Sequence, residues 1–249
     1  MIILKSPQEI DRMRAASRVV AEILEELREM VKPGVSTLEL NRHAEQALRA
    51  RKAQPAFKGY HGYPAVLCTS VNEEVVHGIP SPRRVLREGD IIGLDFGAVC
   101  DGYFGDAAVT VGVGGITPEA ERLIQATEEA LYLAIAKAVP GNRLSDVSLA
   151  VQYHVEACGY SVVREFVGHG IGRSLHEPPQ VPNFGTFGHG VQLVPGMVLA
   201  IEPMVNAGGP EVEILSDGWT AVTRDRSLSA HFEHSVAITE DGPVILTCR

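Results

Sequence analysis

The chain has 249 residues, 45% hydrophobic and 21% charged, ordinary globular usage for one large α/β domain. Its formal net charge of −9 argues against a general nucleic-acid binder, which needs a basic face. Four cysteines (Cys68, Cys100, Cys158 and Cys248) without a C-x-x-C pair argue against a thiolate zinc site, and no apolar run reaches the length of a membrane span. The opening "MIILKSPQEIDRMR" holds too short an apolar run for a signal peptide. A reduced, soluble, cytoplasmic protein is therefore expected, with residues 1–249 as one domain.

Ser6-Pro7-Gln8-Glu9 is a capping box with proline at the first helical position, and it predicts a helix start. Ile10, Met13, Val20, Ile23, Leu24, Leu27 and Val31 carry the apolar stripe to Lys-Pro-Gly at 32–34. Ser36 and Glu39 open a second helix through Leu40, Ala44 and Leu48. Strand patterns follow at 65–71 and 90–99; Asp101-Gly102 signals a hairpin, and the return strand runs to 113. Thr117-Pro118 starts a third helix, which ends at Val-Pro-Gly (139–141), and a fourth spans about 145–158.

Helix, Lys-Pro-Gly, helix, strands is thus followed by helix, Val-Pro-Gly, helix, strands. Gly34 and Gly141 stand at an offset of 107, and "LREGDIIGLD" (86–95) aligns with "LVPGMVLAIE" (193–202) at the same offset, placing Asp95 on Glu202. "DAAVTV" (106–111) resembles "EHSVAI" (233–238) at an offset of 127, placing Asp106 on Glu233. The pattern predicts two structurally similar halves, roughly 6–113 and 117–240, each offering two acids from a strand pair.

Strand side chains alternate faces, so Asp95 and Asp106 fall on one side of the hairpin. With Asp101-Gly102 as the loop, Gly97 faces Asp106 and Asp95 lies diagonal to it; with the turn one residue earlier, the two acids face each other. Anions this close repel unless one is protonated or a cation lies between them. "EFVGHGIGRSLHEPP" (165–179) supplies His169 and His176 as neutral nitrogen donors. One histidine with four carboxylates is an oxygen-rich set suited to Mn, Fe(II), Co or Zn in a two-metal site. Two metals about 3.5–4 Å apart turn water into hydroxide near neutral pH and stabilise an oxyanion, which is the chemistry of hydrolysis.

Other motifs fail on inspection. Asp95-Phe96-Gly97 spells a kinase D-F-G without H-R-D or a glycine-rich nucleotide loop. Gly112-Val113-Gly114 begins a dinucleotide fingerprint, but Thr117 stands at its third glycine. "HFEH" (231–234) matches no zinc-protease spacing, and no G-x-S-x-G elbow occurs.

"NEEVVHGIP" (72–80), the Asp95/Asp106 pair, "GHGIGRSLHEPPQV" (168–181), "AIEPM" (200–204) and "DRSLSAHFEHSVAIT" (225–239) together resemble the type I methionine aminopeptidases over nearly the whole chain. That resemblance implies a pita-bread fold of the α/β (α+β) class: two pseudo-symmetric halves with a central antiparallel sheet covered by helices. It implies that Asp106 and Glu233 bridge two divalent metals, that Asp95 binds one, and that His169 and Glu202 bind the other. Glu202 would also shuttle a proton, His77 would contact the peptide near the scissile bond, and His176 would hydrogen-bond the substrate carbonyl or oxyanion. Tyr60, Tyr63, Cys68 and Trp219 match the family's methionine pocket and suit a polarisable thioether. The sequence departs from many members at Leu175 (Phe), from some at Phe57 (Cys), and from some at Gly97 (Thr), where a hydroxyl helps hold the substrate amine.

The implied function is removal of the initiator methionine from nascent chains when the second residue is small, with a metal-bridging hydroxide attacking the first peptide bond. Such an enzyme would act as a monomer on nascent N-termini, with transient ribosome contact and no direct nucleic-acid role. By the same preference the chain would keep its own Met1, because Ile2 is bulky. The rival expectations are an X-Pro peptidase, whose relatives usually carry an extra N-terminal domain, and a non-catalytic pita-bread protein, which would have lost ligands.

Overall fold

The computed structural model describes residues 1–248. The first half runs through helices α1 (Pro7–Met30) and α2 (Thr37–Ala50), then strands β1 (Gln54–Pro55), β2 (Leu67–Val71), β3 (Glu74–Val76), β4 (Ile91–Cys100) and β5 (Tyr103–Gly112). The second half opens on α3 (Pro118–Lys137) and α4 (Leu144–Ala157), followed by β6 (Ser161–Val162), β7 (Gly168–Gly170), β8 (Glu177–Val181) and β9 (Val198–Ile201). It closes with β10 (Met204–Asn206), β11 (Val212–Ile214), β12 (Ala221–Thr223), β13 (Ser229–His231), β14 (Glu233–Thr239) and β15 (Gly242–Ile245). A nine-stranded antiparallel sheet has the order β1-β4-β5-β14-β9-β7-β8, with β2 also on β4 and β15 on β14. None of the described helices is long and apolar enough to cross a membrane.

The helices begin where their caps direct. Ser6 Oγ accepts the Glu9 N–H and Glu9 accepts the Ser6 N–H at 2.9 Å; Ser36 and Glu39 repeat the arrangement. The apolar stripe of α1 is buried, and Val20, Ile23, Leu24 and Leu27 pack on Ile92, Leu94, Phe96 and Ala98 of β4. Gly105 permits this close approach, since a Cβ there would lie 2.7 Å from the Ser17 nitrogen. On the second half, α3 and α4 pack on Leu199, Ile201, Val236 and Ile238. With every second residue of the central strands committed to the helices, the intervening residues share the opposite, concave face.

The hairpin turns at Asp101 (φ 50°) and Gly102 (φ 76°), both in the left-handed region that a type I′ turn requires. Gly97 therefore faces Asp106 and Asp95 faces Ala108.

Backbone bonds recur at the offset of 107 seen in the sequence. Gly34 N–H donates to Leu86 O and Gly141 N–H to Leu193 O; Leu86 N–H donates to Val35 O and Leu193 N–H to Asn142 O. The second strand pair departs from the expected offset of 127. Asp95 pairs with Ala108, whereas its counterpart Glu202 falls level with Glu233, because Ile201 pairs with His234 and Met204 with His231. Ala108 and Glu233 stand at an offset of 125, so the counterpart of Asp106 is His231 and not Glu233. Side-chain bonds across the junction of the halves follow the same rule. Thr110 Oγ1 donates to His231 O (2.8 Å) and accepts the His231 N–H; Ser235 Oγ donates to Asp106 O (2.8 Å) and accepts the Asp106 N–H. The two-residue slip preserves the face, since the pleat repeats every two residues.

The N-terminal segment is strapped to the second half. Lys5 Nζ lies 2.6 Å from Glu177 Oε2, both side chains 5% exposed, and Lys5 N–H donates to Gly196 O. Glu177 Oε1 accepts the backbone N–H groups of Arg173 and Ser174. Lys5→Met leaves Glu177 buried without its cation, and the expected loss is about 3 kcal/mol in a urea titration.

Candidate metal centre

Five side chains from five segments meet on the concave face. Asp95 comes from β4, Asp106 from β5, His169 from β7 and Glu233 from the start of β14, while Glu202 follows the end of β9. Ligand atoms of Asp106, His169 and Glu233 all lie within 4.8 Å of one another, and His169 Nε2 is 3.5 Å from Glu202 Oε1. These five, with His77, His176, Tyr60, Tyr63, Cys68 and Trp219, line one cavity of about 260 Å³. Every site residue singled out from the sequence is thus brought to one place.

The acids are held away from water. Burial pushes the Asp95 carboxyl up to about 7, with the Glu202 charge adding to it and His231 opposing, and burial takes Glu202 to about 8. Asp106 and Glu233 are raised well above the carboxylate range, first by burial and then by the other acids. Asp95 Oδ1, Asp106 Oδ1 and Glu233 Oε1 are buried without a hydrogen-bond partner among the described residues. Orphaned, converging carboxylate oxygens are the donor set that a dication satisfies. His169 completes it: Nδ1 lies 2.9 Å from Gly170 O, so a proton there donates to that carbonyl and leaves the Nε2 lone pair facing the acids. Burial lowers its pKa to about 3, with His176 adding, which keeps the ring neutral.

Two further imidazoles flank the acids. His77 holds a left-handed backbone (φ 63°), a strained conformation for a non-glycine residue. Its ring stands edge-on to Phe166 and Trp219, and burial lowers its pKa to about 4. His176 stacks edge-on to His169 with centroids 4.2 Å apart, and its Nδ1 lies 2.7 Å from Tyr60 OH. With the phenol donating to Nδ1, the ring carries its proton on Nε2 and presents a donor. Tyr63 OH shares its one proton between Leu67 O (3.1 Å) and Gly78 O (3.0 Å), tying the pocket wall to the turn that carries His77. Cys68 pairs with Asp95 across the sheet and is kept a neutral thiol by burial.

Sequence reasoning missed three residues here: His61, which lines the cavity; Phe166, which supports His77; and His231, whose Nε2 lies 3.6 Å from Glu202 Oε2. Only His231 carried a signal, since it stands two residues before Glu233 and so shares its face.

The model of metallopeptidase family M24 matches residues 11–240. The chain belongs to this family. A methionine aminopeptidase of Clostridium acetobutylicum is 54% identical over 247 residues, 99% of each chain. The crystal structure of the methionine aminopeptidase from Thermotoga maritima superposes with a TM-score of 0.99 at 49% identity over the whole of both chains. The prolidase of Pyrococcus horikoshii OT3 shares the fold alone, with a TM-score of 0.80 at 23% identity over all of this chain and 64% of that one. The fold is accordingly the pita-bread fold, and this M24 peptidase is a hydrolase whose Asp106, His169 and Glu233 could hold a metal ion.

Gly97 has a steric cause. A Cβ there would lie 2.8 Å from both Ala56 Cβ and Phe57 Cε1, so the Phe57 ring occupies the space that a side chain at 97 would need. Gly97→Thr alone should lower stability by about 1–3 kcal/mol, whereas adding Phe57→Cys should recover most of that loss in a double-mutant cycle.

The raised carboxyl pKa values fix a pH trend. Unfolded Asp and Glu titrate near 4 and unfolded His near 6.5, so the buried, neutral histidines offset the acids at lower pH, and between about pH 6.5 and 8 the folded, metal-stripped chain binds more protons than the unfolded one. Stability is therefore lost as pH rises through that window. The urea midpoint of metal-stripped protein should be lower near pH 8.5 than near pH 6.5, and adding Mn(II) should release protons in calorimetry; a midpoint rising between those two pH values contradicts the assignment.

Proposed function

We propose that this chain is a methionine aminopeptidase that uses two divalent metal ions, Mn, Fe(II), Co or Zn, to remove the initiator methionine from nascent polypeptides. The observation that carries the reading is that the acid–histidine cluster and an apolar, aromatic wall share one cavity of about 260 Å³. A peptide whose first side chain fills the wall has its first peptide bond beside the carboxylates. Relatives of equal length bearing that name support the reading.

Asp106 and Glu233 would bridge the two metals, Asp95 would hold one, and His169 with Glu202 the other. Bound there, the metals would activate water and stabilise charge on the peptide oxygen. Glu202, its charge restored by the bound cations, would take a proton from that water and return it to the leaving amine. His176 offers its Nε2–H to the substrate carbonyl, and His77 contacts the peptide near the scissile bond. Tyr60, Tyr63, Cys68 and Trp219, with Phe57 and Leu175, enclose the methionine side chain. The preference for a small second residue follows from the family resemblance. The same reading places a monomer in the cytoplasm, with transient contact to the ribosome.

Hydrolysis of Met-Ala-Ser and of Ala-Pro peptides, each with and without Mn, Fe(II), Co or Zn, tests the proposal. Metal-dependent release of methionine is expected, and cleavage of the Xaa-Pro substrate alone overturns it. Asp95→Asn and His169→Ala should each lower turnover by at least ~100-fold with little change in fold.

A further inference from the structure

The slip in offset from 127 to 125 makes His231 the second-half counterpart of Asp106, and its side chain accordingly points to the concave face. Its backbone is fixed on both sides by Thr110, whose hydroxyl donates to His231 O at 2.8 Å and accepts its N–H at 2.9 Å. The residue is 4% exposed, and Nε2 has no hydrogen-bond partner among the described residues. That nitrogen faces Glu202 Oε2 at 3.6 Å, while His169 Nε2 faces Oε1 at 3.5 Å. His231 stands outside the ring of side chains that line the cavity; it acts on Asp95 through its charge, and the acid oxygen its Nε2 approaches is Glu202 Oε2.

We infer that His231 is a positioning residue for Glu202, donating its Nε2–H to Oε2 and so fixing which oxygen Glu202 turns toward His169 and the metal. Closing the gap by roughly half an ångström reaches hydrogen-bond distance, and a rotation of the carboxylate supplies it. Buried polar groups rarely go unpaired, and a buried imidazole nitrogen aimed at a ligand carboxylate is the arrangement by which outer residues orient metal ligands. The inference rests on the proposed metal centre but not on the choice of substrate.

The test is Mn(II) titration of the full-length protein by calorimetry, with thermal unfolding of each metal-stripped variant alongside. His231→Phe and His231→Met fill the site with two apolar shapes and remove the donor; His231→Gln keeps an N–H donor. Both apolar variants should bind Mn(II) about 10–100-fold more weakly in at least one site, while His231→Gln stays within about threefold of wild type. Their metal-stripped melting temperatures should match wild type or exceed it, because the unpaired nitrogen is gone. Apolar variants that bind Mn(II) like wild type overturn the inference. So does an equal loss in all three variants, which marks packing alone. Wild-type protein that binds no Mn(II) overturns both this inference and the metal centre. If wild type binds Mn(II), the variants differ as expected and methionine is not released, the substrate reading fails and the role of His231 stands.

Discussion

Four carboxylates buried within one pocket cannot all be ionised without a positive partner, and this constraint governs the molecule. Burial raises every one of them, Asp95 to about 7 and Glu202 to about 8, and three of the four leave an oxygen unpaired. Burial also holds the imidazoles nearest them neutral, so the histidines do not serve as counter-charges. The protein has thus given up stability at this place, and a bound cation would recover it.

The rest of the fold can be read as the means of holding those acids against their repulsion. Helices cover one face of the sheet with continuous apolar stripes, which leaves alternate strand positions free for the acids on the other. Duplication is visible in backbone hydrogen bonds that repeat at a fixed offset, but the halves are not copies at the centre. Asp106 lies opposite Gly97, whereas Glu233 lies level with Glu202, and His231 stands where strict repetition would put an acid. Breaking the symmetry gives the two ends of the acid cluster different donors.

Much of this was legible in the sequence because it is local. Ser6/Glu9 and Ser36/Glu39 announced two helices through their caps; Asp101-Gly102 announced the hairpin; and period-2 alternation put Asp95 and Asp106 on one face. The offset error arose because "DAAVTV" and "EHSVAI" are small-apolar patterns that match nearly as well after a slip of one pleat. Other features depend on contacts between distant segments. The Phe57 ring lies over Gly97 through the β1–β4 pairing, Lys5 meets Glu177 from the far end of the first half, and Thr110 on one half fixes His231 on the other. No local pattern announces such pairs.

The same distinction separates the pocket from the centre. Phe57 substitutes bulk for what Gly97 lacks, so the wall beside the acids is apolar where a side chain on β4 would have been polar or crowded. The acids, by contrast, have no substitutes for one another. The most direct measurement of the central claim is anomalous diffraction from crystals of the full chain grown with Mn(II). Two peaks about 3.5 Å apart are predicted, flanked by Asp106 and Glu233, with one near Asp95 and the other near His169 and Glu202. A single peak, or peaks away from these five side chains, would contradict it.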